Sequence, residues 1–268
     1  KMILPLIVGR LTEVFNTCLE KTTFVDSWME SKMFFLHKKG PKNDPNNFRT
    51  INIENPFLKT YMSVLTNRLS AYAEKMELLP KFQFGFRKNR STGSAISILH
   101  EVVDSRLRNG ERTYACFVDF KKAFDSIDRT LLFRKLQQMS IPYKFCASLF
   151  YIFSKTKIFI QAGQYLSAPF YSNIGTPQGD SIAALLFSLF LSDLPSHIPD
   201  IGPLLNGTKI SLLMYADDLV LIAKNAADLQ CMIDALKNFC DDNKLSVNTA
   251  KTKCMVFYCG RPPTCSFT

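Results

Sequence analysis

The tetrapeptide Tyr215-Ala216-Asp217-Asp218 constrains this chain more than any other feature. It stands between two apolar runs of strand length, Ile210-Ser211-Leu212-Leu213-Met214 before it and Leu219-Val220-Leu221-Ile222-Ala223 after it. That pattern predicts a tight β-hairpin with two adjacent carboxylates at its tip. Two like charges side by side repel unless something positive neutralises them, and carboxylate oxygens are the hard ligands that Mg²⁺ takes up. Asp is also common in ordinary turns, so the pair alone leaves both a metal site and a solvated acidic tip open.

A second acidic cluster lies upstream. Residues 113–128 read as an aromatic and β-branched strand that runs into Asp119 and then into a helix-like segment. Asp119 therefore belongs at a strand end, as Asp217 does. The two are 98 positions apart, so only a fold that sets their strands side by side makes one site of them. Three carboxylates converging at strand ends suit a two-metal site, with ions about 4 Å apart that clamp the attacking and leaving oxygens of a phosphoryl transfer. Asp125 and Asp128 read differently, as residues that cap or solvate a helix start.

FVDFKKAFDSID, GTPQGDSIAALLFSLFLSDLP and YADDLVLIA, in this order, resemble three core motifs of reverse transcriptases, specifically those of non-long-terminal-repeat (LINE-type) retrotransposons. Upstream, residues 27–69 and then FQFGFRKNRST are similar to the finger motifs of that family, so the resemblance runs from about Phe15 to Phe257. It implies an α+β right-hand polymerase fold, with fingers, a central antiparallel palm sheet flanked by helices, and a thumb that is absent or truncated. Residues 1–110 are then mainly fingers with an N-terminal helical extension. Residues 111–258 are mainly palm, with part of 129–170 returning to the fingers, and 259–268 are a tail leading to the missing thumb. The chain begins without Met and reads as a piece of a longer protein, linked there to a thumb and other retrotransposon domains.

The resemblance also implies roles. Asp119 and Asp217 bind two divalent ions, Mg²⁺ with Mn²⁺ as a substitute, while Asp218 adds charge and a ligand. Phe120 lends its backbone carbonyl to a metal, since its side chain has no ligand atom. Phe124 places a ring under the sugar of the incoming nucleotide, where it would collide with a 2′-hydroxyl; the residue also reads as the first apolar anchor of the following helix. Gln178 and Gly179 contact the incoming base and template. Their motif is a poor phosphate loop on its own terms, because it has neither the spacing nor the lysine of one. It departs from the family pattern at Asp180 and at Ile182-Ala183-Ala184, where a serine or cysteine and a Leu-Ser-Pro are more common.

Lys38 and Arg49 flank a basic finger loop and match the family's phosphate-binding positions, Arg being suited to bidentate contact and Lys to a point charge. Arg87, Arg90 and Ser91 match its template-contacting motif, and the interleaved Phe82, Phe84 and Phe86 read as residues that pack under it, with stacking on bases the alternative. Lys251 stands where related polymerases have a lysine that protonates pyrophosphate, and reads equally as a solvated lysine. The partners implied are an RNA template, a DNA primer and dNTPs.

Composition agrees with a polyanionic partner, since 33 Lys and Arg against 23 Asp and Glu leave a net charge of +10. At 47% hydrophobic residues the chain can bury a substantial core. The eight cysteines show no zinc-site pairing and read as free, mostly buried thiols of a reducing compartment. The longest apolar run, Ile182 to Leu191, is too short to span a bilayer, and the basic-then-apolar opening is interrupted by Pro5. The expectation is an intracellular protein of cytoplasm and nucleus with no membrane partner. A two-metal nuclease, or a mobile-element remnant that binds nucleic acid without catalysis, remains open.

Apolar spacing predicts helices at 10–22, 57–79, 93–108, 129–139, 142–154, 180–193 and 226–242. Strands are expected near 113–119, 157–161, 169–174, 209–215, 219–223 and 253–258, and a finger-like hairpin returns through Ile51 and Ile53.

Overall fold

The apolar runs on either side of the acidic tetrapeptide pair as an antiparallel hairpin, with Tyr215 opposite Asp218 and Leu212 opposite Leu221. The computed structural model describes residues 3–177, 179–262 and 265–267. In chain order its elements are α1 (Ile3–Lys21), β1 (Glu30–His37), β2 (Phe48–Glu54), α2 (Pro56–Lys75), α3 (Thr92–Arg108), β3 (Thr113–Val118), α4 (Ala123–Ser126), α5 (Arg129–Gln138), α6 (Tyr143–Lys155), β4 (Lys157–Ala162) and β5 (Tyr165–Leu166). There follow α7 (Ser181–Phe190), α8 (Leu194–His197), β6 (Leu204–Leu205), β7 (Thr208–Lys209), β8 (Leu212–Tyr215), β9 (Asp218–Ala223), α9 (Ala226–Asp242) and β10 (Lys253–Phe257). No described helix is long and apolar enough to cross a membrane.

The chain divides into two units. One comprises residues 1–69 and 129–183, the other 70–128 and 184–268. Residues 70–110, placed with the fingers from sequence, group with the second unit, and 129–183 group with the first.

The first unit carries a sheet of order β2-β1-β4-β5. β1 and β2 form the expected hairpin, with Phe34 opposite Ile51 and Leu36 opposite Arg49. β4 joins β1 in parallel, Ser31 beside Ile158. In the same unit, α2 buries Leu58, Tyr61, Met62 and Leu65, and α6 buries Leu149 and Ile152, each fully buried side chain worth about 2 kcal/mol. Tyr61 meets Ser148 in a buried hydroxyl pair at 2.8 Å, and its ring takes the edges of Phe15 and Phe24.

The second unit is built on a sheet of order β10-β3-β9-β8. β3, written TYACFV, is the central strand and is buried along most of its length, which explains its run of apolar residues without alternation. α9 covers one part of this sheet with Leu229, Met232, Leu236 and Phe239. Asn225 caps that helix by accepting the Asp228 amide at 2.8 Å.

Several expected boundaries move for physical reasons. The helix expected over 57–79 stops at Lys75, where Glu77 takes a left-handed φ of 51° and the Leu78 amide reaches back to Ala73 O at 2.9 Å. The strand expected over 169–174 reduces to one bridge between Phe170 and Ile158. The strand expected over 209–215 breaks at Ile210-Ser211, where Gly202 packs so closely that a Cβ there would strike the Ile210 carbonyl. The cysteines are free, but Cys231, Cys254, Cys259 and Cys265 are exposed while only Cys18, Cys116, Cys146 and Cys240 are buried.

Candidate active site

The second unit brings the expected acidic residues to one edge of its sheet. β3 runs antiparallel to β9, with Val118 opposite Leu219. Continuing that register one step sets Asp119 opposite Asp218, and directly opposed residues in such a pair lie about 5 Å apart. Burial, then the neighbouring charges of Asp217 and Asp119, push the Asp218 carboxyl above its usual range. The crowding of like charge read from the sequence is therefore present. At the tip, Ala216 is buried and holds a left-handed φ of 57°, a strained choice for a residue with a Cβ.

A loop just before β10 grips Asp119. The Asp119 carbonyl accepts the Asn248 amide at 2.7 Å, and its Oδ2 accepts Asn248 Nδ2 at 2.9 Å. The Asp119 amide donates to Thr252 Oγ1 at 3.2 Å. Lys251 Nζ stands 3.4 Å from the same Oδ2, with its side chain 61% exposed. Lys251 is thus an ion-pair partner of Asp119 rather than a solvated residue without contacts. Phe120 follows in an antiparallel bridge with Val247, its buried ring set edgewise on Phe187. Phe124 packs on that ring too, with centroids 5.2 Å apart.

Among the described residues, no three His, Cys, Asp or Glu side chains close around a single point. Asp119 Oδ2 is turned toward Asn248 and Lys251. The donors nonetheless fit a divalent cation by their chemistry. They are hard carboxylate oxygens on adjoining strands, like charge crowds Asp218, and Lys251 already marks Asp119 as a place where positive charge is favoured.

Arg87, Arg90 and Ser91 spend their polar atoms inside the second unit. Arg87 forks onto Glu74 at 2.7 and 2.6 Å and holds that carboxyl below its ordinary range. Arg90 donates to the carbonyls of Lys81 and Gln83. Ser91 caps α3 by accepting the Ser94 amide at 3.2 Å. Lys88, between them, is exposed.

In the first unit, Lys38 and Arg49 are both exposed. Because Leu36 opposes Arg49 and side chains alternate, Lys38 and Arg49 stand on the same face of the hairpin as Ile51 and Ile53. The opposite face carries Ser31, Asn52 and Glu54, whose buried Oγ, Oδ1 and Oε2 atoms have no hydrogen-bond partner among the described residues. Gly179 packs against that strand: its φ is 108°, and an added Cβ would lie 2.9 Å from Asn52 O, so glycine alone suits the position. Gln178 lies outside the described residues. Burial, followed by the charge of Asp180, raises the Glu54 carboxyl to about 8.

Sequence reasoning missed Arg129, which is 6% exposed. Its guanidinium donates to the carbonyls of Gly175 and Phe153, both at 2.7 Å, and to those of Ser172 and Ile174. It also lies over the Phe153 ring. One buried cation thereby shapes the approach to Thr176-Pro177, and burial lowers its own proton affinity to about 10. Asn248 and Thr252 were missed as well. Their only signal was proximity to Lys251 in the sequence.

Comparison with known proteins bears on this geometry. Residues 37–267 match the family model described as reverse transcriptase (RNA-dependent DNA polymerase). The chain is 27% identical over 249 residues to the probable RNA-directed DNA polymerase from transposon BS of Drosophila melanogaster, an alignment covering 90% of this chain and 27% of that protein. It is 26% identical over 257 residues to the RNA-directed DNA polymerase from mobile element jockey of the same fly, covering 92% and 27%. The chain thus spans about a quarter of the length of these relatives. Its backbone is similar to apo telomerase from Candida tropicalis truncated from its C-terminal domain, with a TM-score of 0.61 at 16% identity, covering 97% of this chain and 57% of that one. At that identity the likeness is one of fold.

Proposed function

Because the chain belongs to the reverse transcriptase (RNA-dependent DNA polymerase) family, we propose that it is the finger and palm portion of a non-long-terminal-repeat retrotransposon polymerase. In this reading it adds dNTPs to the 3′-hydroxyl of a DNA primer annealed to an RNA template. The observation that carries the proposal is the β3/β9 register, which, carried one step past Val118 and Leu219, sets Asp119 opposite Asp218 at the end of the hairpin that bears Asp217.

Asp119, Asp217 and Asp218, with the Phe120 carbonyl, would hold two divalent ions, Mg²⁺ or Mn²⁺ in its place. The chemistry such ions would supply is activation of the primer hydroxyl and relief of charge on the transferred phosphate. The chain's own residues do the positioning. Asn248 orients the Asp119 carboxylate through Oδ2. Lys251, exposed beside Asp119, is assigned to give a proton to departing pyrophosphate. Lys38 and Arg49 offer two cations on one face for triphosphate oxygens. Phe124, braced by Phe187, is the ring assigned to the sugar. Gln178 and Gly179 are assigned to the incoming base. The loop of Arg87, Arg90 and Ser91 is assigned to the template, its arginines serving as an internal frame that presents backbone and Lys88. The setting proposed is intracellular, with thumb and further domains in the same polypeptide.

The test is dNTP incorporation on a poly(rA)/oligo(dT) hybrid, with Asp217→Asn as the control and a chain extended beyond Thr268 in parallel. Incorporation that Asp217→Asn abolishes supports the reading. Cleavage of the labelled hybrid without extension would replace it with a nuclease. Tight hybrid binding without either reaction, in Mg²⁺ and in Mn²⁺, would replace it with a binding protein.

A further inference from the structure

Gln83 is wholly buried, yet it is polar. Its Oε1 accepts two backbone amides, Gly85 N–H at 2.9 Å and Ala216 N–H at 3.0 Å. Both partners are donors, so the oxygen is fixed at this end of the amide. Its Nε2 has no partner among the described residues. An apolar side chain would avoid the cost of that orphan, about 1–3 kcal/mol, so packing alone does not account for a glutamine here.

The surrounding backbone shows what the oxygen holds. Residues 82–84 lie alongside β8: the Met214 amide donates to Phe82 O at 2.9 Å, and the Phe84 amide to Met214 O at 2.8 Å. Gly85 then passes so close to the hairpin tip that a Cβ would collide with the Ala216 amide nitrogen and lie 3.0 Å from its Cα. Ala216 is the left-handed residue of the tip, and its backbone direction decides how Asp217 and Asp218 leave the turn. On its other side the same segment joins the arginine loop. The Gln83 carbonyl accepts from Arg90 at 3.2 Å and from Arg87 at 3.4 Å, Arg90 lies over the Phe84 ring, and the Phe86 ring leans on Tyr215.

We propose that Gln83 is a positioning residue of the acidic hairpin: its side-chain oxygen pegs the Ala216 amide, fixes the left-handed tip and so aims Asp217 and Asp218, while its main chain ties that tip to the Arg87–Ser91 loop. Its consequence for catalysis rests on the polymerase reading above; the peg itself does not.

Two variants test it, Gln83→Met, which keeps the length and removes the acceptor, and Gln83→Glu, which keeps an oxygen at the Oε1 position. Three quantities are measured: hydrogen exchange of the Ala216 amide, Mn²⁺ binding by calorimetry, and kcat and KM for dTTP on poly(rA)/oligo(dT). Gln83→Met is expected to expose the Ala216 amide to exchange, to weaken Mn²⁺ binding, and to lower kcat roughly 100-fold with KM little changed, the scale on which misplaced reacting groups act. Gln83→Glu is expected to keep the protection and most of kcat. Wild-type protection of Ala216 and wild-type kcat in Gln83→Met overturn the proposal. So does a parallel loss of kcat, KM and thermal stability in both variants, which marks a role in folding only. If Gln83→Met does not fold, Gln83→Glu decides: an unprotected Ala216 amide with normal kcat refutes the peg. If the wild-type protein itself extends no primer, the polymerase reading fails, and exchange and Mn²⁺ binding still decide whether Gln83 holds the turn.

Discussion

Glu54 gives the most quantitative handle on the first unit. Its Oε2 is buried on the polar face of β2, and burial, reinforced by Asp180 and partly relieved by Lys59, raises its carboxyl from an ordinary 4.5 to about 8. Below about pH 4.5 the carboxyl is protonated whether the chain is folded or not, and contributes nothing to pH dependence. Between that point and about pH 8 the unfolded chain releases the proton while the folded one keeps it, so stability falls as pH rises. Above pH 8 the full penalty is in place. At about 1.4 kcal/mol per tenfold change in proton affinity the ceiling is near 5 kcal/mol; local relaxation and the high effective dielectric of real proteins reduce this to roughly 2 kcal/mol. Glu54→Gln keeps the shape and removes the titration. Unfolding free energies from urea titrations of both proteins, at pH 5 and pH 8.5, are expected to show the variant gaining on the wild type by roughly 2 kcal/mol between the two conditions. A difference between the proteins that is the same at both pH values would refute the buried-carboxyl account.

Arg129→Met takes this donor from the buried carbonyls of Gly175 and Phe153 and from the half-buried ones of Ser172 and Ile174 and is expected to cost about 3 kcal/mol or more in urea unfolding; a change below 1 kcal/mol would show that the 172–175 segment supports itself. Asn248→Ala frees Asp119 Oδ2 from its amide partner, and kcat is expected to fall about tenfold or more while the melting temperature moves little, read by steady-state extension beside calorimetry. Phe124→Val shrinks the ring braced on Phe187 and is expected to raise incorporation of ribonucleotides relative to deoxynucleotides; unchanged discrimination removes Phe124 from the sugar-reading role.

How legible was this chain? Residues whose role lies in local pattern were readable: the hairpin tip, the strand ending at Asp119 and the amphipathic α9 all show in spacing alone. Residues whose role lies in distant pairing were not. A single Gln, Arg or Asn carries no periodicity, so nothing near Gln83 announces Ala216, nothing near Arg129 announces the carbonyls of 172–175, and Glu54 gives no sign of Asp180. Ion pairing is hidden for a related reason. Arg87 matches a template-contacting motif in sequence, and only folding reveals Glu74 as its carboxylate partner. The strand break at Ile210 was not legible, because it depends on Gly202 reaching it from outside the strand.

The strand order β10-β3-β9-β8 also sets a schedule for biosynthesis. β3 leaves the ribosome on the order of 100 residues before either lateral neighbour exists, which at typical elongation rates is several seconds or more. For that interval its apolar run Tyr114-Ala115-Cys116-Phe117-Val118 has both hydrogen-bonding edges bare, the condition under which strands recruit the wrong partner. Until β9 and then β10 arrive to close the ladder on either side, β3 has no native strand partner.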